Sequence, residues 1–233
     1  MITKLNSSRL AKSILILGVL VIILNIMALT YDKSGLSKGT IVSAGIQQPA
    51  ATNGWFLSGS RPDEYKTGLD TINSQHGQKC GFIESTAADP DGFATLMQQC
   101  NVKDFKGKRI KMTGFIRTKD ADQGGMMWKR VDDFEKKIVA DFDNMEDRAI
   151  TGNKDWTKCE IVFDVPDTKC AISFGFMLAG SGKIWFDNLT FDIVSTSLDK
   201  TAYLLNKDLS DEMISKVPEV LPEKAPANLD FED

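Results

Sequence analysis

The sequence predicts an all-β fold, a two-sheet antiparallel β-sandwich preceded by an N-terminal apolar helix. Three observations predict it. Short segments between positions 55 and 194 alternate apolar and polar residues at period two. Turn signals built from Gly, Asp, Asn and Pro separate these segments at short intervals, and no long stretch between them carries a helical period.

The elements follow in order. Residues 1–30 carry Lys4, Arg9 and Lys12 with no acid, then an apolar run from Ile14 to Leu29 broken only by Gly18 and Asn25. That order of charge and hydropathy is the order of an export signal. The run is longer than a typical signal core and shorter than a full membrane span, so an uncleaved anchor, a cleaved signal and a buried core helix are all readings of it. Val42-Ser43-Ala44 has the chemistry of a cleavage site but lies late. An anchor is the favoured reading; with the basic end inside, the rest of the chain faces the periplasm or the exterior. Residues 31–52, with Gly35, Gly39 and Pro49, have no period and read as a linker.

Residues 53–194 read as the sandwich domain. In Trp156 to Val165, Cys159, Ile161, Phe163 and Val165 share one face, with Lys158, Glu160 and Asp164 on the other. The first face is core and the second is wet. Ile110, Met112 and Ile116 alternate likewise with Lys111, Thr113 and Arg117, while Ile172, Phe174, Phe176 and Leu178 face away from small residues. In the last strand the spacing slips between Phe186 and Leu189, so a bulge is predicted at Asp187-Asn188. Residues 195–227 read as a helical and then Pro-rich spacer, and 228–233 as a closing strand, because Leu229 and Phe231 recur at period two.

Charge narrows the partners. Of 28 basic residues three lie in the leader, leaving 25 against all 32 acidic ones, a balance that argues against nucleic acid. Four cysteines in an exported chain suggest disulfides. A hairpin about Asp89-Pro90-Asp91-Gly92 would set Cys80 opposite Cys100, and Cys159 with Cys170 follows by elimination; free buried thiols are the alternative.

Gly54-Trp55 with Ser58-Gly59-Ser60 and Tyr65, Gly92 to Gln98, Gly107-Lys108-Arg109, Trp128 to Asp132, Phe142-Asp143-Asn144-Met145, Gly152 to Trp156 and Trp185-Phe186-Asp187-Asn188 together resemble a known family. It is the jelly-roll, carbohydrate-binding-module-like (galactose-binding-like) domains of bacterial envelope proteins and of accessory domains in AraC-type regulators. The resemblance implies a jelly roll over residues 53–194 and leaves the function open. Two features depart from it. No DNA-binding segment is read here, which removes the regulatory reading, and Lys129 and Cys159 stand where an apolar residue and an aromatic are expected. Related jelly rolls often hold a structural calcium near the final strand, and the resemblance implies Asp187 and Glu232 as its ligands.

Trp128 and Arg130, with Asp143 and Asn144 shortly after, have the chemistry of a sugar site: a ring to stack on the sugar and polar groups for its hydroxyls. The alternative is a core Trp128 and an Arg130–Asp143 pair holding two strands. Asp141, Asp143, Glu146 and Asp147 fail the EF-hand pattern and read first as a solvated acidic loop, with a metal or a glycosidase carboxylate pair behind that. Gly180-Ser181-Gly182-Lys183 is a hairpin turn, since Met177 and Ile184 occupy the decisive positions of a phosphate loop. His76 is the only histidine, which leaves a Ser-His-Asp triad or a two-His zinc site at most one candidate. The expected function is a non-catalytic exported module binding a carbohydrate or other small polar ligand. The alternatives are an envelope interaction domain without a pocket and a glycan-processing enzyme using an Asp pair.

Overall fold

The computed structural model describes residues 54–201, 218 and 220–233. The expected apolar helix, the linker and the helical stretch of the spacer lie outside them. Among the described residues no helix is long and apolar enough to cross a membrane.

Among the described residues nine antiparallel strands form two layers. They are β1 (Phe56–Gly59), β2 (Tyr65–Asp70), β3 (Cys80–Ser85), β4 (Phe93–Asn101), β5 (Arg109–Asp133), β6 (Ile138–Asp143), β7 (Ile150–Asp164), β8 (Cys170–Ala179) and β9 (Lys183–Val194). One layer runs β1-β4-β8-β5-β6 and the other β7-β5-β9-β3-β2. Both contain β5, because its first half pairs with β7 and β9 and its second with β8 and β6. The sequence suggests two strands there, Arg109 to Thr118 and Met126 to Val131. The chain instead stays paired through the corner, turning where its register against β7 shifts repeatedly between Ile116 and Gly125. Asp120 (φ 52°) and Gly124 (φ 111°) supply left-handed backbone at this bend.

The predicted bulge is present. The β5–β9 register slips between Thr113 and Phe115, and Asn188 there has φ 51°. Its effect is to return Leu189 to the interior, where it is buried. The inner faces meet in a core that includes Ile110, Met112, Ile161 and Phe163 from one layer and Leu96, Met127, Phe174 and Phe176 from the other. At one end the rings of Trp55, Phe176, Phe186 and Phe231 pack with centroids 4.6–6.3 Å apart.

The chain end differs in form from the expected strand. Residues 229–231 form a turn, with Asn228 and Phe231 at positive φ (46° and 60°), that plugs Phe231 into the core. A half-buried strand would place Leu229 and Phe231 on one face with the backbone extended; the left-handed residues curl the chain inward instead.

The cysteines correct the disulfide expectation: Cys80, Cys100, Cys159 and Cys170 are free and buried. The hairpin behind the proposed pairing does not form, since β3 pairs with β2 and β9 whereas β4 pairs with β1 and β8. The Asp89–Gly92 turn connects the two layers. Cys159 on β7 and Cys170 on β8 likewise belong to different layers. Burial pushes the Cys80, Cys100 and Cys159 thiols up to about 12, so they are poor nucleophiles at neutral pH.

Candidate functional site

Side-chain parity along β5 decides what meets what. Trp128, Arg130 and Asp132 alternate with Met127, Lys129 and Val131, so the two sets lie on opposite faces of the layer; the second faces the other layer, where Lys129 lies over the Phe163 ring, and the first is buried on the outer face. Across the outer face, register sets Trp128 opposite Gly175, and Arg130 opposite Ser173 on one side and Phe142 on the other. Ser173 in turn faces Gln99 of β4, so Gln99, Ser173, Arg130 and Phe142 form one row across four strands.

This face is enclosed and polar. Trp128, Arg130, Asp132 and Ser173 are fully buried. The Trp128 indole N–H donates to Thr95 Oγ1 (2.7 Å), and that hydroxyl donates to the Phe176 carbonyl (2.8 Å). Arg130 Nε donates to Asp132 Oδ1 (2.7 Å). Burial raises the Asp132 pKa, with Arg130 opposing the rise. Asp132 Oδ2, Ser173 Oγ and Gln99 Nε2 are buried with no hydrogen-bond partner among the described residues. Buried polar atoms are nearly always satisfied, so three on one patch is an unusual concentration.

The four expected ligand-binding residues therefore divide. Trp128 and Arg130 share the outer face, but Trp128 is enclosed and presents no open stacking platform. Asp143 stands opposite Lys129 and so belongs to the inner face. The Arg130–Asp143 pair is replaced by Arg130–Asp132 and by Arg148–Asp143, in which Arg148 Nη2 donates to both carboxylate oxygens (2.8 and 2.7 Å). Asn144 is buried in the turn after β6, its side-chain oxygen accepting from the Glu146 N–H (3.2 Å). Lys129 lies inside because Asp141 and the Phe163 ring receive it; its ammonium is 4.9 Å from the ring centroid, and burial lowers its pKa. Asp132 and Ser173 are the residues sequence reasoning missed. Asp132 sits two positions past Arg130, and Ser173 lies among the small residues of β8.

Asp187 and Glu232 both reach the loop between β2 and β3. Asp187 Oδ2 accepts from the N–H groups of Gln75 and His76 (both 2.9 Å), and Glu232 Oε1 from those of Gln78 and Lys79 (2.6 and 2.9 Å). Burial, aided by the charge of Glu232, raises the Asp187 pKa. A buried carboxylate disfavoured by a second one is the electrostatic setting that a divalent cation relieves. Backbone carbonyls and water would have to complete the six to eight oxygens calcium takes. Among the described residues no group of three or more His, Cys, Asp or Glu converges as a metal site.

Asp70 holds the other end of this loop. Burial alone would raise its pKa, but bonds from Trp185 Nε1 (2.7 Å), Ile72 N (2.8 Å) and Asn73 N and Nδ2 (both 3.0 Å) outweigh that and hold it at about 2. A folded-state pKa below the unfolded one contributes stability that is complete above about pH 4 and lost as pH falls toward 2. Unfolding measured against pH should show this acid limb in wild type and a flatter one in Asp70→Asn; identical limbs would contradict the assignment.

No family model matches the chain. It is 37% identical over 181 residues to an uncharacterized HTH-type transcriptional regulator, YbfP, of Bacillus subtilis (strain 168), a match covering 77% of this chain and 57% of the relative. The chain thus spans little more than half the length of that relative, and a continuous match of this size takes in most of the sandwich. Among solved structures, the CBM22-1 xylan-binding domain from Paenibacillus barcinonensis is 12% identical with a TM-score of 0.44, covering 62% of this chain and 88% of that one. TmCBM61, solved with β-1,4-galactotriose, is 14% identical with a TM-score of 0.43, covering 61% and 90%.

Proposed function

We propose that the chain is an exported, membrane-tethered, non-catalytic module that binds a carbohydrate or other small polar ligand on the outer face of the β1-β4-β8-β5-β6 layer. The supporting observation is the patch around Trp128 and Arg130, where Asp132 Oδ2, Ser173 Oγ and Gln99 Nε2 are buried without a hydrogen-bond partner among the described residues. A ligand rich in hydroxyls supplies a donor to the carboxylate and acceptors to the hydroxyl and amide, while the aromatic side chain beside them supplies apolar contact. Because these atoms are enclosed, a ligand reaches them only when the layer opens.

The test is a glycan-array screen of the full chain in detergent, followed by titration of each hit. Asp132→Asn keeps the side-chain shape and is expected to weaken binding at least tenfold. A chain that binds no glycan, or an Asp132→Asn affinity equal to wild type, overturns the assignment. The calcium reading belongs to the same proposal: adding calcium to chelator-treated protein should raise the melting temperature in wild type and not in Asp187→Asn. No shift in wild type removes the ion.

A further inference from the structure

The second layer carries a different surface on its own outer side. Register brings Arg117 of β5 beside Trp185 of β9 and that beside Phe82 of β3; one step along, Lys119 lies beside Lys183 and that beside Glu84. Two hollows open here. One, about 370 Å³, lies between Trp185, Arg117 and Lys119 and the projecting end of β7 at Asn153, Lys154 and Asp155. The other, about 280 Å³, lies between Lys119, Lys183, Trp185, the carboxylates of Glu84 and Asp120, and the Ser85–Gly182 contact. They share Lys119 and Trp185, so they adjoin along one groove.

The electrostatics of the groove favour an anion. The Arg117 guanidinium lies 5.3 Å and the Lys183 ammonium 4.6 Å from the Trp185 ring centroid, so the ring fixes two cations in place. Glu84 is bracketed by Lys183 (3.2 Å) and Lys66 (3.3 Å), and Asp120 accepts the Asn153 amide (3.0 Å). The Asp155 side chain is 90% exposed and only 3.8 Å contact links it to Arg117. Lys119 and Lys154, both exposed, form no ion pair among the described residues. Four cations, Arg117, Lys119, Lys154 and Lys183, and three carboxylates, Glu84, Asp120 and Asp155, line the two hollows, which leaves them one positive charge in excess on a chain whose net charge is −4.

The shape extends the argument. Trp185 is only 7% exposed, so it is not a stacking platform for a neutral sugar. The two hollows together exceed what a single inorganic anion fills, and polar side chains line them, Asn153 in the first and Ser85 in the second. We infer that this groove binds an oligosaccharide bearing carboxylate or sulfate groups, its anionic substituents on Lys119 and Lys154 and its hydroxyls on the flanking polar side chains. The site is separate from the outer face of the first layer and does not depend on it.

The test titrates the full chain in detergent with trigalacturonate, a sulfated tetrasaccharide, a neutral trisaccharide and inorganic sulfate. At least one anionic oligosaccharide should bind more tightly than the neutral one, with affinity falling as salt rises. Lys119→Glu with Lys154→Glu should weaken that binding at least tenfold without moving the melting temperature, since both side chains are exposed. Asp132→Asn should leave it unchanged, which separates this site from the one proposed above. Failure of both anionic probes to bind, or undiminished binding by the double variant, overturns the inference; inorganic sulfate binding as tightly as the oligosaccharides overturns its sugar component.

Discussion

Replacing Phe231 with alanine is expected to lower the unfolding free energy by about 3 to 5 kcal/mol, the range for deleting a large buried aromatic ring. Phe231 is fully buried, with its ring 4.9 Å from Trp55 and 5.3 Å from Phe186 between centroids. The turn that carries it is tied down on three sides. Trp55 Nε1 donates to the Asn228 carbonyl (2.8 Å), Leu189 N to the Leu229 carbonyl (3.0 Å), and the Gln98 amide exchanges bonds with Ala227 (2.6 and 3.2 Å). Little can collapse into the space the ring leaves, because Asn228 and Phe231 hold the left-handed backbone that points it inward. Urea unfolding of wild type and Phe231→Ala measures the difference. A loss below about 1 kcal/mol would mean that the ring is not part of the core.

The second large effect is expected at Asp143. This buried carboxylate accepts from Arg148 Nη2 at both oxygens, from the Met145 N–H (2.9 Å) and from the Thr201 hydroxyl (3.0 Å). It thereby fixes the left-handed Met145 (φ 54°) and joins the end of β6 to the segment leaving β9. Asp143→Ala leaves the guanidinium, among the described residues, with only its contact to Asp147 Oδ1 (2.8 Å); losing a partner costs about 3 to 5 kcal/mol when the surviving charge is buried and less where water reaches it. Arg148 is partly exposed, which places the expected loss toward the lower end. Adding Arg148→Met to Asp143→Ala should recover part of the stability, whereas strictly additive losses would show that the two side chains act independently.

Much of the architecture was legible because one-sided burial imposes period two on a strand. Cys159, Ile161, Phe163 and Val165 are all buried while Lys158 and Glu160 are exposed. The bulge at Asn188 was visible as a slip in that same period. Strand β2 was not, since an edge strand of sequence Tyr65-Lys66-Thr67-Gly68-Leu69-Asp70 buries too little to force alternation. Nor was the unbroken β5, because Lys119 to Gly125 has the composition of a turn and pairing alone keeps it extended.

The candidate site shows where parity stops informing. That Trp128, Arg130 and Asp132 share a face follows from spacing within one strand. Whether Asp143 joins them depends on the register of β6 against β5, and a shift of one residue moves it to the opposite face. Sequence proximity brought Asp143 to Arg130; the ladder gave Arg130 to Phe142 and left Asp143 to Arg148.

The long strand β5 has a mechanical consequence. It is the shared neighbour of β6, β7, β8 and β9, two in each layer, so neither layer keeps its centre if β5 is withdrawn. Tension applied between the two ends of the domain would meet no weaker joint between the layers at which one could peel off while the other held. Such a molecule is expected to yield in a single rupture, with no intermediate in which one layer has unfolded and the other has held.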